Sequence, residues 1–135
     1  MSQKLLLKSR TVSVSINCDP TTVYAFVSNP ENLPKWATTF CRSIKQLNGE
    51  WMADTPQGSV TISLVRRNDF GILDHYVTPS AGAEVFVPMR VVPNRSGSEV
   101  FFTLFHRPEM SEEQYAQDLG LVEQDLHTLK RVMER

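Results

Sequence analysis

The chain is poor in net charge. Its 14 Lys and Arg stand against 15 Asp and Glu over 135 residues, a formal net charge of −1. No basic block or stripe breaks this balance, which argues against nucleic acid or an anionic membrane as partner. Cysteine is scarce too. Cys18 and Cys41 are the only two, and no CxxC spacing suggests a zinc or redox motif. Long hydrophobic runs are missing. Leu5-Leu6-Leu7, flanked by Lys4 and Lys8, is far too short for a signal h-region or a membrane span. The expectation is therefore a cytoplasmic protein whose two thiols stay free. None of the glycines builds a phosphate-binding loop, and no serine sits in a GxSxG turn. Nothing near Cys41 would lower its pKa. No reaction is named by a motif, and no cofactor is expected.

What is present begins with length. One domain covering 1–135 is the default, long enough to bury roughly two-thirds of the unfolded surface without a staple. Between Ser111 and Glu134, apolar residues recur at Tyr115, Leu119, Val122, Leu126, Leu129 and Met133. The alternating spacing of four and three puts all six on one stripe of an α-helix. At ~1.5 Å rise per residue such a helix is about 36 Å long.

Nearly everything from Thr11 to Arg107 reads as strand. Thr11–Ile16 alternates strictly, the mark of a half-buried strand. Asp19-Pro20 and Asn29-Pro30 each combine a capping side chain with a proline suited to the first helical position. Two short helices are expected there, the second limited by Pro34.

The turns then fix register. Asn48-Gly49 is the strongest two-residue hairpin signal and pairs Gln46 with Trp51 and Ile44 with Ala53. The turns around Pro56, Asn68, Pro79–Ala83 and Asn94 pair Trp51 with Ile62, Leu64 with His75, Val77 with Val85, and Met89 with Phe102. They also pair Val87 with Leu104. Opposed residues share a face, and a one-residue slip would reverse it. All registers agree on one apolar face, including Ile44, Trp51, Ala53, Val60, Ile62, Leu64, Val77, Val87 and Phe102. Pro88 resists the middle of a sheet, so a bulge or an unpaired stretch is expected there.

The order of strand, two short helices, strand meander and long C-terminal helix joins three motifs. These are Asp19-Pro20-Thr21-Thr22-Val23-Tyr24-Ala25-Phe26-Val27, Asn29-Pro30-Glu31-Asn32-Leu33-Pro34-Lys35-Trp36 and Pro108-Glu109-Met110-Ser111. Over nearly its whole length the chain resembles the SRPBCC superfamily, the START-like helix-grip group that includes polyketide cyclase/dehydrase-like proteins. The resemblance implies an α+β fold in which a seven-stranded antiparallel sheet wraps around the long C-terminal helix. It also implies a cavity between them. Members bind lipids, hormones or polyketides, act as aromatase/cyclases, or assist chaperones. Fold alone does not decide among these.

The expected function is binding of a small hydrophobic or amphipathic molecule in that cavity. The expected lining is Trp36, Trp51, Leu64, His75, Val87, Phe102, His106, Tyr115, Leu119 and Val122. The alternatives are a cyclase/dehydratase using the same cavity, with His75 or His106 carrying a proton, and a protein-interaction module. In the inferred registers the two histidines lie about 12 Å apart, too far to share a metal whose bonds to nitrogen are about 2 Å. Asp74 adjoins His75, but neighbouring strand residues point to opposite faces. Arg42, Gln46 and Arg66 share the inward parity near strand ends. An arginine at a cavity mouth could hold a carboxylate in a bidentate fork. On the outward side Phe86, Phe101 and Phe105 form an aromatic patch with Tyr76, from which a homodimer is expected. Gly120 within the long helix costs roughly 1 kcal/mol against alanine, which either a close backbone approach or neutral drift would explain.

Overall fold

The structure is a computed structural model, and it describes residues 6–135. Of the run Lys4–Lys8, Lys4 and Leu5 therefore lie outside the described residues. Strand β1 (Ser9–Ile16) is followed by helix α1 (Pro20–Val27), a 3₁₀ turn (Pro30–Asn32) and helix α2 (Leu33–Trp36). Then come β2 (Ser43–Leu47), β3 (Glu50–Thr55), β4 (Gly58–Leu64), β5 (His75–Pro79), β6 (Val85–Val87), β7 (Met89–Asn94) and β8 (Gly97–Phe105). Helix α3 (Glu112–Met133) closes the chain.

Local chemistry sets the helix starts. Asp19 accepts from the Thr22 backbone N–H at 3.0 Å and from the Thr22 hydroxyl at 2.7 Å, while Pro20 takes the first helical position. Those bonds hold the Asp19 carboxyl below its ordinary pKa. Asn29 caps the 3₁₀ turn through Glu31 N–H, and Ser111 caps α3 through Gln114 N–H. Both residues of the Asn48-Gly49 turn have positive φ, 54° and 81°, as a type I′ hairpin requires. Gly71 also has positive φ, and a Cβ there would meet the Val91 carbonyl oxygen at 2.1 Å, so glycine is required.

The turn-derived registers hold at every turn, but the expected Val87–Leu104 pair does not form. The β7–β8 ladder begins at Met89, and Val87 pairs only with His75 across β5–β6. Ile44 pairs with Ala53, Trp51 with Ile62, Leu64 with His75, Val77 with Val85, and Met89 with Phe102. A second expectation needs correction. In place of a single seven-stranded sheet there are eight strands in two antiparallel sheets, β1-β8-β7 and β2-β3-β4-β5-β6. The reason is Pro88. With no N–H to donate, it splits the sixth strand into β6, which pairs with β5, and β7, which pairs with β8. The junction is stitched from both sides. Thr103 N–H donates to the Pro88 carbonyl at 3.0 Å, and Leu73 N–H donates to the Met89 carbonyl at 2.8 Å.

Helix α3 lies chiefly against β1, also packs against α2, and makes a smaller contact with β8. The main core sits beneath it, where Val14, Ile16, Val100, Leu126 and Leu129 are buried with Trp36 and Met89. Gly120 does not mark a close approach, because nothing stands within 4 Å of a Cβ built there. Gly120→Ala should therefore stabilise the protein by about 0.5–1 kcal/mol through helix propensity alone. Chemical denaturation checks this, and a loss of stability would contradict the open surroundings.

Candidate functional site

The inner face is covered unevenly. Under α3 and α1 it is closed, with Val14, Ile16, Met89, Val91 and Val100 at most 6% exposed. Across β3–β6 the cover thins. Ala53, Ile62 and Val87 are buried, but their inward neighbours Trp51, Val60, Leu64, Val77 and Val85 are only half-buried. Phe102 and Leu104, at the far end of β8, are half-buried as well. An apolar wall thus runs from Trp51 to Phe102, incompletely covered by the chain's own side chains.

The expected lining residues are spread over three apolar clusters, with Leu64 touching two of them and Val87 in none. Trp36 is buried in the main core, with Leu64, Phe102 and Val122 packed at its margin. The Trp36 indole Nε1 is enclosed and has no hydrogen-bond partner among the described residues. Trp51 and Leu64 flank a second cluster built on Cys41, Ala53 and Ile62. Val87 is buried opposite His75 in the β5–β6 ladder. Tyr115 and Leu119 lie apart, in a third cluster with Met110, Val12 and Leu104.

The two histidines have different surroundings. His106 is tied into the β8–α3 connection. Its ring stacks on Tyr115 at 4.6 Å, Nε2 is 2.8 Å from the Met110 carbonyl, and Nδ1 is 4.0 Å from Glu112. His75 belongs to the wall. It opposes Leu64 on one side and Val87 on the other, and its ring meets Phe102 edge-on at 6.0 Å. Its Nδ1 lies 3.0 Å from the Leu73 carbonyl. Burial pushes its pKa below the ordinary histidine value, so the ring is neutral at pH 7. A neutral ring whose Nδ1–H donates to Leu73 leaves Nε2 as an acceptor. The Asp74 charge works against burial at His75, but its carboxylate accepts from Met89 N–H and Arg90 and makes no hydrogen bond to the ring.

Two carboxylates on α3 escaped the sequence reading. Asp125 is 6% exposed and accepts from the Thr39 N–H at 3.0 Å and the Thr39 hydroxyl at 2.8 Å, which fastens the loop after α2 onto α3. Asp118, two turns earlier on the same flank, is half-buried. Burial raises the pKa of both, against the opposing effect of Thr39 on Asp125 and of Arg107 on Asp118. Their seven-residue spacing beside the apolar stripe was the available signal. Cys41 is no nucleophile at neutral pH, since burial, aided by Asp54, pushes its thiol up to about 11.

Two clefts open at the α2 end of the wall, and Trp51 lines both. One, of about 470 Å³, lies between Pro34 of α2 and the edge strand β2. The other, of about 330 Å³, lies between Ser28–Pro30 and the β2–β3 turn, and reaches Ile62 and Leu64.

A family profile described as polyketide cyclase / dehydrase and lipid transport matches residues 9–134. The chain belongs to this family. Solved structures share the fold of this polyketide cyclase-like domain. XoxI from Bacillus cereus is 21% identical, with 93% of this chain and 94% of that one covered at a TM-score of 0.75. A START superfamily protein from Mycobacterium smegmatis is 12% identical, with 93% and 97% covered at 0.74. DynU16, from the dynemicin biosynthetic locus, is 17% identical, with 93% of this chain and 47% of that one covered at 0.72. These identities establish the helix-grip fold and nothing finer. No curated protein matches the chain. Among the described residues, no helix is long and apolar enough to cross a membrane.

Proposed function

We propose that the protein binds a small hydrophobic or amphipathic molecule against the inner wall of β3–β6, beside α3. The observation that carries this reading is the half-buried state of Trp51, Val60, Leu64, Val77, Val85 and Phe102 on a single face. Scattered apolar residues at a surface are ordinary. A continuous row of them on one face, with one neutral imidazole set into it, has the make-up of a ligand site. Membership of a family whose description includes lipid transport supports the same reading.

The test uses N-phenyl-1-naphthylamine, an uncharged fluorescent probe. It should bind the folded protein, and Val87→Trp should weaken binding by about tenfold or more, since Val87 lies in the wall. Overpacking at this position also costs ~1–3 kcal/mol of stability, so the variant is compared well below its melting temperature. Equal binding to both proteins, or none to the parent, would contradict the proposal.

His75 favours a second reading, a cyclase/dehydratase-type enzyme. A neutral imidazole with a free Nε2 on an apolar wall can take a proton from a carbon next to a carbonyl and return it to a leaving hydroxyl. His75→Phe separates the two readings. Apolar probe binding should persist in both, and turnover should vanish only if Nε2 carries a proton.

A further inference from the structure

The cleft between α2 and β2 has a chemistry that the apolar wall does not explain. Ile44 and Gln46 lie on one face of β2, opposite Ala53 and Trp51. Arg42, just before β2 with its N–H on the Asp54 carbonyl, lines the same cleft. The same cleft is bounded by Lys45 from the other side of this edge strand, and by Glu31. Neither Arg42 nor Lys45 takes part in any ion pair among the described residues. Two unpaired cations and one carboxylate thus border the cleft, leaving it net positive, with the Trp51 indole among its lining. Ile44 and Trp51 also pack against Ala53 and Ile62 of the apolar wall, so these two side chains border both the cleft and the wall.

We infer that this cleft binds the carboxylate end of an amphipathic ligand, with Arg42 and Lys45 as the charge partners, Gln46 as an amide donor and Trp51 as the surface on which the ligand's body turns inward. The inference rests on the proposed apolar site and names its ligand class, an organic acid with an aromatic or alkyl body. A guanidinium suits a planar carboxylate because two parallel N–H groups meet its two oxygens. The ammonium adds charge without that geometry. Glu31 opposes the acid and sets an upper limit on its affinity.

The test pairs 2-naphthoate with 2-naphthamide, which match in shape and differ in charge. The parent protein should bind the acid about tenfold more tightly than the amide at low salt, with the preference shrinking as salt screens it. Arg42→Met keeps much of the apolar stem. It should weaken the acid about tenfold and leave the amide within about twofold. Lys45→Met should act in the same direction with a smaller change, and Glu31→Gln should tighten the acid. All three side chains are exposed, so the fold should tolerate these changes, and circular dichroism confirms it.

Equal affinity for acid and amide, no binding of either, or an acid preference that survives Arg42→Met would overturn the inference. The wall is judged separately. If Val87→Trp weakens N-phenyl-1-naphthylamine while Arg42→Met leaves the acid preference intact, the wall stands and the acid cleft falls. If the acid preference depends on Arg42 while Val87→Trp changes no probe, the cleft stands and the wall reading falls.

Discussion

Leu129→Ala should be among the most damaging single truncations in this protein. The Leu129 side chain is fully buried, in the cluster that includes Val14, Val100, Leu126 and Trp36. Removing three of its heavy atoms forfeits their burial and leaves a space that close-packed neighbours refill only in part. The cost should be about 2–5 kcal/mol. A domain of this size has only about 5–15 kcal/mol in total. The melting temperature should fall by roughly 10 °C or more. Leu121→Ala supplies the comparison. Leu121 sits on the same helix but is 36% exposed, and the change should stay within about 0.5 kcal/mol. Thermal denaturation followed by circular dichroism reads both. Equal losses would mean that α3 is not held by its stripe.

This asymmetry along α3 bears on function. The stripe was read from the sequence as one surface over a cavity, yet its members do different work. Leu126 and Leu129 close the main core, whereas Tyr115 and Leu119 stand with Met110 near the start of the helix. Periodicity gives the face of a helix, but not which turn of it meets a neighbour and which meets an opening. That is set by where the sheet ends beneath it, a tertiary property.

The strand registers were more accessible for a physical reason. A two-residue turn such as Asn48-Gly49 fixes its flanking pairs by backbone geometry alone, and each following turn carries the parity forward. Five registers inferred in this way agree with the ladders. The helix caps at Asp19, Asn29 and Ser111 were equally local and equally visible. At Pro88 the sequence signalled a fault in the pairing but not its result, two sheets where one was expected.

The candidate site was visible as a list of inward residues, not as a place. Trp36 and Trp51 look alike in the sequence, yet one is in the main core and the other lines two open clefts. His75 and His106 share strand parity, yet only His75 sits in the wall. The 2.8 Å contact of His106 with the Met110 carbonyl comes from a tight turn before α3. The spacing of Asp118 and Asp125 placed Asp125 beside the stripe, but its partner Thr39, 86 residues away, was not visible in the sequence.

Asp74 shows how much can depend on a residue whose sequence neighbour draws the attention. Its carboxylate accepts from the Met89 N–H at 2.8 Å and pairs with the Arg90 guanidinium at 3.1 Å. Met89 follows Pro88, at the point where the sheet divides, so its N–H depends on a side chain for its partner. Asp74→Ala should leave that buried donor unpaired, at about 1–3 kcal/mol. The lost pair with the half-exposed Arg90 adds only about 0–1 kcal/mol. Asp74→Asn keeps an acceptor for Met89 and should show the smaller loss alone.

The pH dependence has a definite sign. Burial alone would raise the Asp74 pKa, but hydrogen bonds from Arg90 and Met89, with the Arg90 charge, hold it below its ordinary value of 3.8. A carboxyl depressed by folding contributes stability that is fully present above the unfolded pKa and fades as pH falls through the folded one. The gap in melting temperature between the parent and Asp74→Ala should therefore be constant from pH 7 to about pH 5 and narrow below about pH 4. A gap that widens on acidification would show that Asp74 is not the ionised partner of Arg90 and that the junction at Pro88 is held by other contacts.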